Sequence, residues 1–363
     1  MSDGAYRQVA PHREGFALQT PELWIRGLGV YLPDTRVSVE TAVAEGLTTA
    51  EEAAVHDMAG AAVAGELPAP EMALRSAREA YGQAGADPDD TRVLLYTDIW
   101  HQGPDVWFPQ YHLQHHLVRG DVIAGELRQG CNALFTAMEL TEPHLRGAPE
   151  SATALLVAAD NFSTPNVDRW RSGAFVMGDG ACAVLLGRAP GLARVLSVGS
   201  MVVPELEELH RAGEPEFPPA ATTGTALDLR ARGRALSAKG EEDPEVDLAW
   251  FTLQQKMMLL VGRTLAEAGV GFGDIARATF SNLGPGAVEH RWMDVLKLPM
   301  EKSTWSHGRT IGHIGAADPF IGLRHLLDEG GVRPGDHVVL GGLGSGVTLS
   351  CAVVRIADAP PGS

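Results

Sequence analysis

Cysteine is scarce. The 363-residue chain carries three, Cys131, Cys182 and Cys351. That is too few for a disulfide framework, and the spacing is not that of a zinc site. Their apolar or glycine-rich surroundings suit reduced thiols in a cytoplasm. Basic charge is short too. With 29 Lys and Arg against 46 Asp and Glu, the formal net charge is -17, which disfavours a surface that coats DNA or RNA. No apolar run approaches the roughly 18 residues of a membrane span, and no apolar N-terminal stretch reads as a secretory leader. Turn formers, by contrast, are plentiful. The 42 glycines and 23 prolines in a chain that is 45% hydrophobic point to many short strands and helices around one large core or two ordinary ones.

In chain order, residues 1–20 are polar and read as loose. Residues 24–33 read as a strand ending in a turn, 39–66 as helical, 70–84 as a helix with Leu74, Ala77, Ala80 and Tyr81 on one face, and 93–97 as a short strand. The polar-aromatic stretch 100–109 reads as a loop. Residues 110–117 form a short helix that brings His112, His115 and His116 towards one face. No closed ligand set can be assembled around them, so no metal is expected there. A buried strand spans 153–160, and a loop carries Asp168, Arg169 and Arg171. Gly178-Asp179-Gly180 then turns into a strand, with Asp179 bonding nearby backbone rather than cradling a phosphate. Residues 205–245 read as an irregular insertion with a short strand at 225–229. Helices follow at 248–268 and 287–298. A glycine-rich irregular turn over 307–319 leads into a helix at 320–329, and a strand over 348–356 ends the chain.

Gln129-Gly130-Cys131-Asn132 leads directly into a helical run in which Leu134, Ala137 and Met138 recur on one face. Cys131 therefore sits at or just before a helix N-terminus, where unpaired N–H groups and the helix dipole favour a thiolate. Two readings stand side by side: an activated nucleophile, or a buried structural thiol.

The halves also echo one another. A helix ending in Ala-Gly precedes the strand at Val93, and another precedes the strand near Ile275. The apolar strand 155–159 echoes 338–340. Two copies of one α/β unit packed together would place a site at the strand ends where helices begin, bringing Cys131 towards the glycine-rich turns of the second half. On this division the first half spans 1–190, an irregular segment 191–245, and the second half 246–363.

Several stretches together resemble the thiolase-fold superfamily, in its ketoacyl-ACP synthase III branch: Gly27-x-Gly-x-Tyr-Leu-Pro33, Gly130-Cys131 with its helix, Phe175-x-x-Gly-Asp-Gly-Ala-Cys-Ala183, Gly342-x-Gly-x-Gly346 and Leu298-Pro-Met-Glu-Lys302. The resemblance covers residues 22–357. It implies a duplicated, five-layered αβαβα fold with mixed central sheets, and an acyl-accepting role for Cys131. In the family a histidine and an asparagine complete the site. Here the histidine position holds Asn282 and the asparagine position holds His313, while the last serine of that segment is Asp318. The aspartate is similar to a diverged subgroup that uses Cys, His and Asp to move acyl groups onto hydroxyls or amines of natural-product scaffolds.

The resemblance thus implies a catalytic set of Cys131, His313, Asn282 and Asp318, with oxyanion N–H groups from Cys131 and Ser345. His313 acts as base, Asn282 orients substrate, and Asp318 either orients His313 or caps the helix that follows it. Arg169 and Arg171 are candidates for a donor phosphate, His307 for the entrance, and His290 for the surface. The donor is an acyl-CoA or acyl carrier protein thioester and the acceptor a small molecule. No tightly bound cofactor, metal, nucleic acid or membrane is implied, and family members are usually homodimers. The acidic net charge gives an acidic carrier no long-range attraction. The loop 100–109 and the segment 205–245 shape substrate access by analogy. Two other readings accompany this one: a decarboxylative condensing enzyme, and a non-catalytic scaffold of the same fold.

Overall fold

Alternating side chains sort the buried strands onto two faces, and that alternation builds three cores separated by sheet. The computed structural model describes residues 22–357 except 172 and 174; the N-terminal stretch read as loose lies outside the described residues. The first half runs β1 (Leu23–Tyr31), β2 (Arg36–Ser38), α1 (Val39–Ala44), α2 (Ala50–His56), β3 (Gly60–Ala62), α3 (Ala69–Ala84), β4 (Thr91–Thr97), α4 (Pro109–Leu113), β5 (Ile123–Glu126), α5 (Ala133–Leu145), β6 (Thr153–Asp160) and β7 (Gly180–Gly187). The remainder runs β8 (Ala193–Val202), α6 (Ala220–Thr223), α7 (Leu229–Glu242), α8 (Pro244–Ala268), β9 (Ile275–Phe280), α9 (Pro285–Val288), α10 (Asp294–Leu296), α11 (Trp305–Ile311), α12 (Asp318–Asp328), β10 (His337–Gly344) and β11 (Thr348–Ile356).

The strands pair in the order β5-β4-β6-β7-β1-β8-β11-β10-β9. β4 and β6 are parallel, and β6–β7 and β7–β1 antiparallel. β9 and β10 repeat the parallel pair, and β10–β11 and β11–β8 the antiparallel ones. The duplication suspected from Val93 and Ile275 is thus real: β4 corresponds to β9, β6 to β10, β7 to β11 and β1 to β8. The two half-sheets meet where Leu23–Ile25 of β1 pair with Ala193–Val195 of β8.

Leu156 and Ala158 face one way from β6 and join Val184, Val338, Leu340 and Val354 around α5 and α12. Leu155 and Val157 face the other way and pack with α3, while Val339, Cys351 and Val353 pack with α8. The layers are therefore α3, sheet, α5 with α12, sheet, α8. At the centre the rings of Phe135 and Phe320 lie 5.5 Å apart, a contact worth about 1 kcal/mol beyond its burial. The sequence permits the close seating of α3 on β1 because Gly27 and Gly29 face it. A Cβ on Gly29 would lie 1.8 Å from the Ser76 carbonyl oxygen.

Several local expectations are corrected. Residues 39–66 are not one helix. Thr49 and Glu52 form a reciprocal capping box that starts α2, and Asp57 stops it in a left-handed conformation at φ 48°. Gly60-Ala61-Ala62, alanine-rich as a helix would be, then pairs with β2. Residues 205–245 are ordered into a 3₁₀ turn, α6 and α7, because Leu206 and Leu236 are buried against α8. Of the strand read at 225–229, only a bridge between Leu227 and Val167 forms. Residues 191–202, read as irregular, include β8, the counterpart of β1. The first part of the turn read at 307–319 is α11. β5 went unrecognised because Ile123-Ala-Gly-Glu126 is short and half-exposed.

Candidate active site

The two central helices begin close together, and their first turns build the site. Gly130–Asn132 forms a 3₁₀ turn before α5. Gly130 adopts φ 60°, and a Cβ there would lie 2.8 Å from Ser345 Oγ, so only glycine admits both the turn and the neighbouring loop. The buried Asn132 side chain donates to the carbonyls of Gly342 (3.3 Å) and Thr348 (2.8 Å). This clamps the cysteine turn to the β10–β11 hairpin and leaves Cys131 half-exposed at the floor of a cavity.

From the second half, His313 Nε2 reaches to 3.0 Å from Cys131 Sγ. The backbone fixes the ring: His313 N–H donates to Val176 O at 2.7 Å, and Gly178 N–H donates to His313 O at 3.0 Å. Phe175 meets the imidazole edge-on at 4.7 Å. Nδ1 lies 2.5 Å from Asp318 Oδ2. Burial opposes a charge on His313, but Cys131 and Asp318 outweigh it and hold the imidazole well above its ordinary range. This is the environment of an imidazole that readily holds a proton beside the sulfur.

Asp318 begins α12 without capping it. Its carboxylate turns back instead. Oδ2 accepts from His313 Nδ1 and from Asn282 N–H (2.7 Å); Oδ1 accepts from Ile314 N–H (2.7 Å) and from Asn282 Nδ2 (3.0 Å). Of the two contacts open in the sequence, the carboxylate makes the one to His313 and not the helix cap.

Asn282 is placed differently from the expectation. Its amide donates to Asp318 and to Gly312 O (2.9 Å), and it does not line the cavity. It stands behind the aspartate rather than over the substrate. A sequence signal for this exists in Gly308, where a Cβ would lie 2.0 Å from Asn282 Oδ1: α11 leaves a notch that holds the amide in place.

Ser345 lines the same cavity as Cys131 and His313. Arg169 and Arg171 do not. Arg169 is internal, donating to both oxygens of the fully buried Asp179 and to Met177 O. Arg171 pairs with Glu52 and Asp168 on the outside. Asp179 itself accepts from the N–H groups of Ala64 and Phe162, the backbone role read for it. Arg169→Ala accordingly leaves donor affinity intact and strands a buried carboxylate. Loss of one partner of such a pair costs about 3–5 kcal/mol, and thermal unfolding of the variant against wild type measures it. His307 stacks on His325 at 3.9 Å rather than lining the cavity, and His290 is an exposed partner of Asp294. The rings of His112 and His116 lie 4.4 Å apart, with His112 bound to Glu71.

The cavity has a volume of about 430 Å³ and is mostly apolar. Trp100 from the first-half loop and Leu209, Leu227 and Leu229 from the 205–245 segment form part of its wall, with Trp250 and Leu253 of α8. Both stretches singled out for access thus contribute. Three arginines missed in the sequence also line it: Arg128, Arg232 and Arg291. Arg232 is neutralised by Glu214. Arg291 carries no ion pair among the described residues, and burial lowers its pKa. Their scatter along the chain gives no motif; only the fold collects them.

Residues 126–201 match the sequence profile of 3-oxoacyl-[acyl-carrier-protein (ACP)] synthase III, and residues 265–356 match that of its C-terminal region. The β-ketoacyl-[acyl-carrier-protein] synthase III of Aquifex aeolicus (strain VF5) is 23% identical over 287 residues, spanning 78% of this chain and 83% of that one. That of Rhizorhabdus wittichii is 27% identical over 298 residues with the same shares. Among solved structures, ChlB3, described as an acyltransferase, is 46% identical with a TM-score of 0.88, covering 94% of this chain and 99% of the other. The crystal structure of the Aquifex enzyme, at 21% identity and a TM-score of 0.71 over 92% of this chain and 99% of that one, shares the fold. Among the described residues no helix is long and apolar enough to cross a membrane. The 46% identity to ChlB3 over 94% of this chain, with the two profile matches and the shared fold, places this chain in the ketoacyl synthase III-like family of thiolase-fold acyl-transfer enzymes.

Proposed function

We propose that the chain takes an acyl group from a CoA or acyl carrier protein thioester onto Cys131, and passes it to a hydroxyl or amine of a small natural-product acceptor. In the first half-reaction Cys131 Sγ attacks the thioester carbonyl while the thiol proton rests on His313 Nε2. The donor C–S bond breaks, and the proton leaves with the donor thiol. In the second, His313 Nε2 takes the acceptor proton as the acceptor attacks the acyl carbon, and Cys131 departs. The N–H groups of Cys131 and Ser345 would hold the oxyanion in both steps. Asp318 and Asn282 act as positioning residues. Asp318 fixes the Nδ1–H tautomer and so keeps Nε2 turned to the sulfur.

The observation that carries transfer over decarboxylative condensation is the placement of Asn282. Family condensing enzymes bring a histidine and an asparagine to the nascent enolate together. Here the asparagine amide is consumed by Asp318 and Gly312, so His313 alone faces Cys131 from that side. Arg291 and Arg128 replace Arg169 and Arg171 as groups able to meet a donor phosphate. A homodimer in the cytoplasm is proposed as well, supported by the open edge of β5 and its exposed Ile123.

Incubation with a panel of acyl-CoA and acyl-carrier thioesters, followed by peptide mass mapping, tests the first step. The expected result is one acyl adduct on the Cys131 peptide, discharged by an alcohol or amine acceptor. Release of CO2 from a malonyl thioester, with a carbon–carbon product and no transfer to hydroxyl or amine acceptors, would establish condensation instead.

A further inference from the structure

Beside the cavity, two carboxylates come together just after β4 and at the end of β5. Asp98 follows β4 and is 3% exposed, and the Gln102 backbone N–H approaches it without making a regular hydrogen bond to either oxygen. The Gln102 side-chain amide donates to Trp100 O at 2.7 Å. Glu126 ends β5, opposite Tyr96 of β4. Its side chain is 10% exposed, with the exposed Arg128 guanidinium no nearer than 3.9 Å. His101, from the loop after β4, completes the group: one ligand atom from each of Asp98, His101 and Glu126 lies within 4.8 Å of the other two. A buried carboxylate lacking both hydrogen bonds and a close cation is costly.

We infer that Asp98, His101 and Glu126 form a binding site for a divalent transition-metal ion of the zinc type. One imidazole and two carboxylates suit Zn²⁺ better than Mg²⁺ or Ca²⁺, which prefer all-oxygen sets. His101 can serve as the imidazole ligand with one ring nitrogen anchored. Its Nε2 lies 3.2 Å from Pro104 O, so Nε2–H donates to that carbonyl and Nδ1 keeps its lone pair, the carbonyl-anchored form typical of metal-bound histidine. Tetrahedral ligand atoms about 2.1 Å from zinc stand roughly 3.4 Å apart. The three groups therefore close by a modest distance, which the partly exposed His101 can supply. The ion ties the loop after β4 to β5. Ile99, Trp100 and Arg128, chain neighbours of the ligands, line the acyl cavity, so the ion fixes one wall of that cavity rather than taking part in the chemistry. The histidines at 112, 115 and 116 are not members. Sequence spacing hides the set because two members sit in the loop after β4 and the third at the end of β5.

The test uses the full chain carrying Cys131→Ala, since Cys131 and His313 could themselves bind zinc. After dialysis against a chelator, ZnCl2 is titrated calorimetrically and thermal unfolding is recorded with and without it. One equivalent binds, and zinc raises the unfolding temperature. Adding Asp98→Asn weakens binding at least 100-fold, yet the metal-free variant is no less thermostable, because a carboxylate with no regular hydrogen bond has become a neutral isostere. Should Asp98→Asn fail to fold, His101→Ala at the rim gives the decision, with binding at least 10-fold weaker. Absence of stoichiometric binding, or binding that survives both substitutions, overturns the site. Because the readout is metal affinity in an acylation-dead background, it is independent of the acyl-transfer reading.

Discussion

Cys131→Ala abolishes covalent acylation and lowers acyl-transfer turnover by at least about 10⁴-fold, the scale on which loss of a covalent nucleophile is felt. The reason is geometric. No second thiol can stand in. Cys182 and Cys351 are fully buried within β7 and β11. Burial pushes the Cys182 thiol far up and the Cys351 thiol to about 12. Cys131 alone of the three is half-exposed, and it alone touches an imidazole. Intact-mass measurement after incubation with an acyl thioester checks both halves of the expectation. Wild type gains a single acyl mass and the alanine variant gains none. Iodoacetamide should label one site in the native wild type and none in the variant. The fold tolerates the change, because the turn is held by Gly130 and by the Asn132 clamp rather than by the sulfur. An unfolding temperature within a few degrees of wild type is expected. An acyl adduct that persisted in Cys131→Ala would move the nucleophile elsewhere and end the mechanism.

The helix start at Cys131 was legible from a local signal, whereas His313 and Asp318 were reached through the family resemblance. Gly130-Cys131 followed by a helical apolar face announces a helix start whatever surrounds it. The five-residue step from His313 to Asp318 places both ends of one turn within reach. The duplication was visible because a parallel pair of buried strands needs a crossover helix, and the Ala-Gly helix ends recur before both β4 and β9. What failed depends on partners distant in the chain. Asn282 lies in Ser281-Asn-Leu-Gly284, which says nothing of the aspartate 36 residues on that consumes its amide. Nothing near Arg169 in sequence signals that its guanidinium is taken up by the buried Asp179. Alanine-rich β3 has helical composition, and only its pairing with β2 and the stop at Asp57 make it extended. Residues 205–245 are rich in Glu, Gly and Pro, a composition of irregular chain, but a few leucines anchored on α8 suffice to order them and to wall the cavity.

Asp318→Asn tests the step most distinctive of this chain. Turnover at neutral pH should fall by about 10³–10⁴-fold, the scale seen when a triad carboxylate is made neutral and the histidine tautomer is lost. The carboxylate accepts four hydrogen bonds, two on each oxygen, from His313, Asn282 twice and Ile314. An asparagine has one oxygen. If that oxygen faces Asn282 N–H and His313 Nδ1, the new amide N–H groups point at the donors of Ile314 and Asn282. If it is flipped, the amide donates to Nδ1, and the imidazole proton moves to Nε2. His313 then presents a donor to Cys131 and can no longer take its proton. Either arrangement leaves buried donors opposed, so some stability is lost as well, about 1–3 kcal/mol.

The pH profile separates these effects. His313 is held above its ordinary range, against burial, by Cys131 and by Asp318. A raised histidine pKa stabilises the fold fully below its unfolded value near 6.5, and that contribution is lost as pH rises through the folded value. Removing the negative charge lowers the folded value, so the stability deficit of Asp318→Asn is largest at acid pH and shrinks on the alkaline side. Acylation behaves in the opposite sense. Without a His313 Nε2 free to take the thiol proton, the rate of the variant climbs with pH more steeply than that of wild type. Single-turnover acylation measured from pH 6 to 9, alongside thermal unfolding at the same values, resolves the two slopes. A variant with wild-type acylation at pH 7 would reduce Asp318 to a backbone brace, and the Cys-His-Asp reading would fail with it.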